Sequence, residues 1–241
     1  MRNTWKSLLF LLIVIGLFGC PPATEGPPKI WFSHVPPYGA LLDTNLTGSV
    51  SGVNPFGYKV AVYLRIGPGA GWFNKPTWDK PLTFIGPGGN WICNIVTGGT
   101  DQNATAFAAF LLPNGVKAPI CNNAANLPQI PEAVAFYQVT RGPGYINWPP
   151  ETKSTVTDLI MDLAGTSVDL SGNKTDDFDS GDRLIWSAEN IDSSLIADIS
   201  FDGDVMTIKA AGNVGQTAIT LVLSDSENLV VTQTVGITIQ E

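Results

Sequence analysis

Two tryptophans six residues apart stand in the stretch Gly71-Trp72-Phe73-Asn74-Lys75-Pro76-Thr77-Trp78-Asp79. Indole faces stack on the apolar face of a sugar ring, while neighbouring amide and carboxylate groups hydrogen-bond its hydroxyls. Trp72 and Trp78 with Asn74 and Asp79 are therefore the candidate ligand-binding set. The competing reading is that the rings pack over the end of a sandwich, because tryptophan is highly buried on average. Pro76 would interrupt a central ladder, so a loop is expected here, and loops carry binding groups on rigid scaffolds.

Asp176, Asp177, Asp179 and Asp182 form a second cluster. Four carboxylates this close repel one another, and hard oxygen ligands in a flexible loop suit Ca²⁺. A solvated acidic loop is the alternative. The spacing is not that of an EF-hand, which needs a central glycine and a final glutamate.

Other chemistry is sparse. His34 is the one histidine, and no Gly-x-Ser-x-Gly elbow accompanies it. No glycine cluster is followed by the Lys-Ser/Thr of a phosphate loop. Asp79 and Asp101 have no flanking motif that marks a two-carboxylate glycosidase. The expectation is a protein that is not an enzyme. A net charge of -8 argues against nucleic acid, which needs clustered Lys and Arg.

The elements that position these residues begin with an address. Residues 1–20 read MRNTWKSLLFLLIVIGLFGC: a basic start at Arg2 and Lys6, then an apolar run shorter than the roughly 20 residues of an ordinary membrane span. The end, Leu17-Phe18-Gly19-Cys20, resembles a bacterial lipoprotein signal with its lipobox. The resemblance implies cleavage after residue 19 and acylation (palmitate or a similar chain) of Cys20, giving stable attachment to a membrane. Pro21 after the cysteine, where an Asp would signal inner-membrane retention, points to the outer membrane or cell surface. Residues 20–29 are the lipidated Cys and a Pro-rich tether, with four prolines in PPATEGPPK.

Charge then divides the chain. Residues 20–150 hold 7 basic and 5 acidic side chains, whereas residues 151–241 hold 4 basic and 16 acidic. That shift, with Trp148-Pro149-Pro150, places a domain boundary between 30–148 and 151–241. In the first segment Val60, Val62, Leu64 and Ile66 alternate with Lys59, Tyr63 and Arg65, and Trp91, Cys93 and Ile95 form another face. Phe107–Leu112 is apolar throughout, as in a strand buried on both sides. Gly/Pro turn clusters separate these runs, which indicates a β-sandwich or barrel. In the second segment Leu229, Val231, Val235, Ile237 and Ile239 share one face of a long strand, and Gln216–Leu223 precedes it across the turn Asp225-Ser226-Glu227-Asn228. Several short strands in about 90 residues suit an immunoglobulin-like sandwich. The predicted fold class is all-β: two β-sandwich domains, the second immunoglobulin-like, after a signal peptide. Cys93 and Cys121 remain once Cys20 is lipidated. An exported protein allows them to pair as a disulfide, and two separate buried thiols are the equal alternative.

Two further resemblances concern the folded part. Val35-Pro36-Pro37-Tyr38-Gly39, Tyr58–Tyr63, Trp91–Ile95, Thr97-Gly98-Gly99-Thr100-Asp101 and Pro113-Asn114-Gly115 make residues 35–141 resemble a module of secreted bacterial surface proteins, which implies an accessory binding role. Asp179–Ala188, Ala197–Ser200, Met206–Lys209 and Gly215–Leu221 make residues 156–240 resemble bacterial Ig-like or cadherin-like repeats, which implies a spacer or adhesive module. The predicted function is a noncatalytic surface lipoprotein that binds a glycan or matrix polymer. The alternative is a structural or adhesion lipoprotein contacting a surface protein.

Overall fold

The computed structural model describes residues 26–67, 69–179 and 181–241. The expected signal peptide, Cys20 and most of the tether lie outside the described residues, as does the side chain of Asp182. No helix among the described residues is long and apolar enough to cross a membrane. Among the described residues, regular structure is strands and short 3-10 turns, an all-β fold.

The described residues of the N-terminal half form ten strands: β1 (Lys29–His34), β2 (Asn45–Ser51), β3 (Tyr58–Ile66), β4 (Trp72–Lys75), β5 (Leu82–Phe84), β6 (Asn90–Asn94), β7 (Ala104–Pro113), β8 (Asn122–Ala124), β9 (Ala135–Gly142) and β10 (Tyr145–Asn147). A three-stranded sheet runs β1-β2-β6, and a seven-stranded sheet runs β10-β9-β7-β3-β4-β8 with β5 paired to β3. The even residues Val60, Val62 and Leu64 of β3 enter the core between the two sheets, with Ile30, Leu46, Trp91 and Cys93 opposite them. The odd residues Ala61 and Tyr63 enter a second core on the other face, with Trp72, Phe110 and Cys121. The large sheet is therefore buried on both faces, as the unbroken apolar run of β7 requires. One glycine is fixed by this packing: a Cβ at Gly48 of β2 would lie 2.3 Å from the Trp91 ring, so only glycine lets that indole lie across the strand.

The C-terminal half adds β11 (Glu151–Thr152), β12 (Leu159–Met161), β13 (Thr166–Asp169), β14 (Lys174–Thr175), β15 (Ile185–Glu189), β16 (Ile196–Asp202), β17 (Val205–Ala210), β18 (Gly215–Ser224) and β19 (Val230–Ile239). A four-stranded sheet, β12-β19-β18-β15, faces a three-stranded sheet, β13-β17-β16. β12 runs parallel to β19, while the other neighbours are antiparallel. Trp186, Met206, Ile208, Leu221, Val235 and Ile237 fill the space between them. This is an immunoglobulin-like sandwich of four plus three strands. None of its core residues belongs to the two cores of the N-terminal half.

Cys93 and Cys121 are both free thiols. Cys93 lies in the core between the sheets and Cys121 in the core on the far face of the large sheet. The disulfide alternative is thereby corrected: β3 and its neighbours stand between the two sulfurs.

Candidate ligand-binding cleft

β4 and the turn after it divide the expected aromatic platform. Trp72 pairs with Arg65 across β3 and is 4% exposed in the second core. The Arg65 guanidinium lies 5.6 Å from its ring centroid. Trp72 is thus a core residue, which corrects the expectation of a platform. Trp72 and Asn74 lie in a strand and not in a loop, because β4 ends at Lys75 and Pro76 never has to supply a ladder N–H. The Lys75–Pro76 peptide is cis, and the chain then turns outward to Trp78, which is 60% exposed.

Asn74 lies with Trp78 and Asp79 in the lining of one cleft, but as a buried residue. Its amide Nδ2 donates to the Pro119 carbonyl at 3.0 Å, its Oδ1 accepts from the Cys121 backbone N–H, and its residue surface is 1% exposed. Tyr63 donates from its hydroxyl to the same Pro119 carbonyl at 2.9 Å. Asn74 thus fastens the 119–121 loop over the sheet and has little left for a ligand.

Trp78 and Asp79 stand at a cleft of about 620 Å³, within the range of small-molecule sites. Thr77, Thr100 and Asn122 also line it and are exposed. A hydrogen bond from Thr77 holds the Asp79 carboxyl below its ordinary range, so at neutral pH Asp79 only accepts. The floor is a buried ion pair that the sequence reading missed. Lys75 Nζ donates to Asp101 Oδ2 at 2.5 Å and to Thr97 Oγ1 at 3.0 Å, and the two charged residues are 5% and 4% exposed. Asp101 Oδ2 also accepts from the Thr97 and Gly98 backbone N–H groups at 2.9 and 3.0 Å. Thr97 Oγ1 donates onward to the Pro76 carbonyl at 2.9 Å. One carboxylate thereby fixes both walls: the 97–101 turn on one side and the Pro76 turn carrying Trp78 on the other. The available signal was the spacing Thr97-Gly98-Gly99-Thr100-Asp101, in which an Asp can accept from N–H groups three and four residues earlier.

The cleft offers an open indole, an ionised carboxylate, two hydroxyls and an amide on a braced rim. Asp101 Oδ2 is already committed to a cation and two N–H groups.

The acidic quartet is also rearranged. Asp177 is exposed, whereas Asp179 is buried, and Asp176 and Asp179 converge on Asp225 of the β18–β19 turn. The sequence itself marks Asp225 only as a turn residue.

No family model matches the chain, and no curated protein matches it. Among solved structures it is similar to the human desmocollin-1 ectodomain, at 11% identity over 89% of this chain and 40% of that one, with a TM-score of 0.30. Protocadherin gamma B7 cadherin domains 1–4 match at 12% identity over 90% and 51%, with a TM-score of 0.33. Human mucin-like protocadherin EC1-2 matches at 12% over 88% and 98%, with a TM-score of 0.31. The chain spans 40% of the desmocollin-1 ectodomain and about half of the gamma B7 domains. Likeness at this level assigns no family, and the fold description rests on the strands themselves.

Proposed function

We propose that the protein is a noncatalytic surface lipoprotein whose N-terminal half holds a polysaccharide against Trp78. The observation that carries this reading is the 60% exposed indole of Trp78 beside a braced polar cleft. A sugar face laid on the indole excludes water from both apolar surfaces. Ligand hydroxyls donate to Asp79, a charge-assisted bond stronger than a neutral one. Thr77, Thr100 and Asn122 supply further partners. The Lys75–Asp101 brace holds the rim before the ligand arrives, which reduces the ordering cost of binding. Trp78→Ala should abolish retention on the polysaccharide that the unchanged protein binds, and Asp79→Asn should weaken it.

Anchoring at Cys20 belongs to the same reading, and the Pro-rich tether would hold the cleft away from the membrane. Cys20→Ser should remove labelling by radiolabelled palmitate and release the protein, whereas unchanged labelling contradicts the anchor.

A second reading is favoured by one observation. Leu41 and Leu42 are 69% and 100% exposed in the loop after β1. Two open leucines at a loop tip suit contact with a protein, as a structural or adhesion lipoprotein requires. Leu42→Ser would weaken that contact and leave polysaccharide retention unchanged.

A further inference from the structure

The two halves of the chain meet around the acidic cluster. Asn147 of β10 donates from Nδ2 to Asp225 Oδ2 at 2.9 Å. Thr140 of β9 bonds Glu227 of the same turn, and the Tyr145 and Phe178 rings stack with centroids 5.5 Å apart. Beside these contacts, ligand oxygens of Asp176, Asp179 and Asp225 all lie within 4.8 Å of one another. Asp179 and Asp225 are 4% and 3% exposed. The cation paired with the cluster among the described residues is Arg183, whose Nη1 is 3.4 Å from Asp179 Oδ1 and whose side chain is 69% exposed. Three converging carboxylates, two of them buried, thus share one positive charge, which is in contact with Asp179 but largely solvated.

Most of these oxygens already have donors, since Asp179 Oδ2 accepts from the Ser226 N–H and hydroxyl at 2.9 and 2.5 Å and Asp225 Oδ1 from the Glu227 and Leu229 N–H groups at 2.9 and 2.8 Å, but two oxygens do not. Asn147 is 0% exposed and its Oδ1 has no partner, although its amide end abuts Asp225. Asp176 Oδ1 is likewise buried without a partner, while its Oδ2 accepts from the Phe178 and Asp179 N–H groups at 3.1 and 2.7 Å. Turning the Asn147 amide would bring Oδ1 towards Asp225, which is repulsive unless a cation lies between them. Every available donor is a hard oxygen, with no imidazole or thiolate in the cluster. That set suits Ca²⁺, which takes six to eight oxygens in flexible geometry, and does not suit zinc.

We propose that Asp176, Asp179 and Asp225 together with the amide oxygen of Asn147 form a Ca²⁺ site that clasps the immunoglobulin-like sandwich to β10. The site differs from the quartet expected from the sequence: it omits the exposed Asp177 and takes ligands from the β18–β19 turn and from the other half of the chain.

The test is calcium titration of the chelator-stripped full chain by calorimetry, with thermal melts in calcium and in chelator. One ion per chain should bind and raise the melting temperature. Asn147→Leu should weaken binding tenfold or more, and Asp177→Asn should leave it unchanged. Asn147→Asp, which adds a fourth carboxylate, should melt lower than the unchanged chain in chelator and recover in calcium. Terbium luminescence sensitised by Tyr145 and Trp148, and quenched by added calcium, reads the same site without any substitution. Identical melts and no terbium signal at millimolar ion would overturn the proposal. So would binding that Asp177→Asn removes and Asn147→Leu leaves intact.

Discussion

Trp72 and Trp78 show how neighbouring residues of one type acquire opposite roles. Both lie in one short aromatic stretch, but Trp72 enters a core and Trp78 faces solvent. Trp72→Ala should cost about 3–5 kcal/mol, the usual range for emptying a buried tryptophan site. Trp78→Ala should change stability by no more than about 0.5 kcal/mol, as for an ordinary surface position. Urea melts of the two variants check this contrast. The sequence could not separate them, because composition and spacing do not reveal on which side of Pro76 the strand ends. The buried thiols and phenols give a second prediction. Burial raises Cys93 from 9.0 to about 11 and Tyr137 from 10.0 to about 12, and also raises Tyr63. Each group keeps its proton more firmly folded than unfolded. The associated stability is complete below about pH 9 and is lost as pH rises through the folded values. For Cys93 alone the shift amounts to roughly 2–3 kcal/mol. Melting temperature should therefore fall above pH 9, and both core thiols should resist a thiol reagent at pH 8 until the chain unfolds.

At the scale of elements, the strands with a clear period were legible. β19 shows a two-residue alternation over its whole length, and β7 an apolar run that only burial on both faces explains. The large sheet has a loop-covered second core because Ala61, Tyr63 and Trp72 also point into apolar surroundings. The braced cleft was not legible. Lys75 and Asp101 are 26 residues apart, and nothing local to either announces the other. That pair yields a prediction at its own scale. Asp101→Ala leaves a buried ammonium without its counter-charge and frees the 97–101 turn, so it should destabilise by about 3–5 kcal/mol. Replacing both members, as Lys75→Met with Asp101→Leu, should cost less than the single change, because no unpaired charge remains buried. A double-mutant cycle by denaturant unfolding measures the difference.

At the scale of the molecule, the charge change near residue 150 coincides with a change of core. The buried apolar residues of 30–139 and of 156–239 form separate clusters. An isolated 151–241 fragment keeps its entire sandwich core and should unfold cooperatively. It loses Asn147, so it should bind calcium more weakly than the full chain. A fragment that is disordered in both calcium and chelator would contradict this account of the C-terminal half. The acidic cluster was half legible for the same reason. Asp176 and Asp179 are local in sequence, whereas Asp225 and Asn147 arrive only through the fold. The polar turn at Asp225 looked like an ordinary hairpin connection, and Asn147 lay beyond the expected boundary.

On the proposed reading, the protein works by holding a polysaccharide on an exposed indole beside a braced cleft. Retention on insoluble cell-envelope and plant polysaccharides, measured for the unchanged protein and for Trp78→Ala, tests it most directly. The unchanged protein should be retained on at least one of them. Trp78→Ala should flow through while keeping its melting temperature. Equal retention of the two proteins, or no retention of the unchanged protein on any of these polymers, would contradict it.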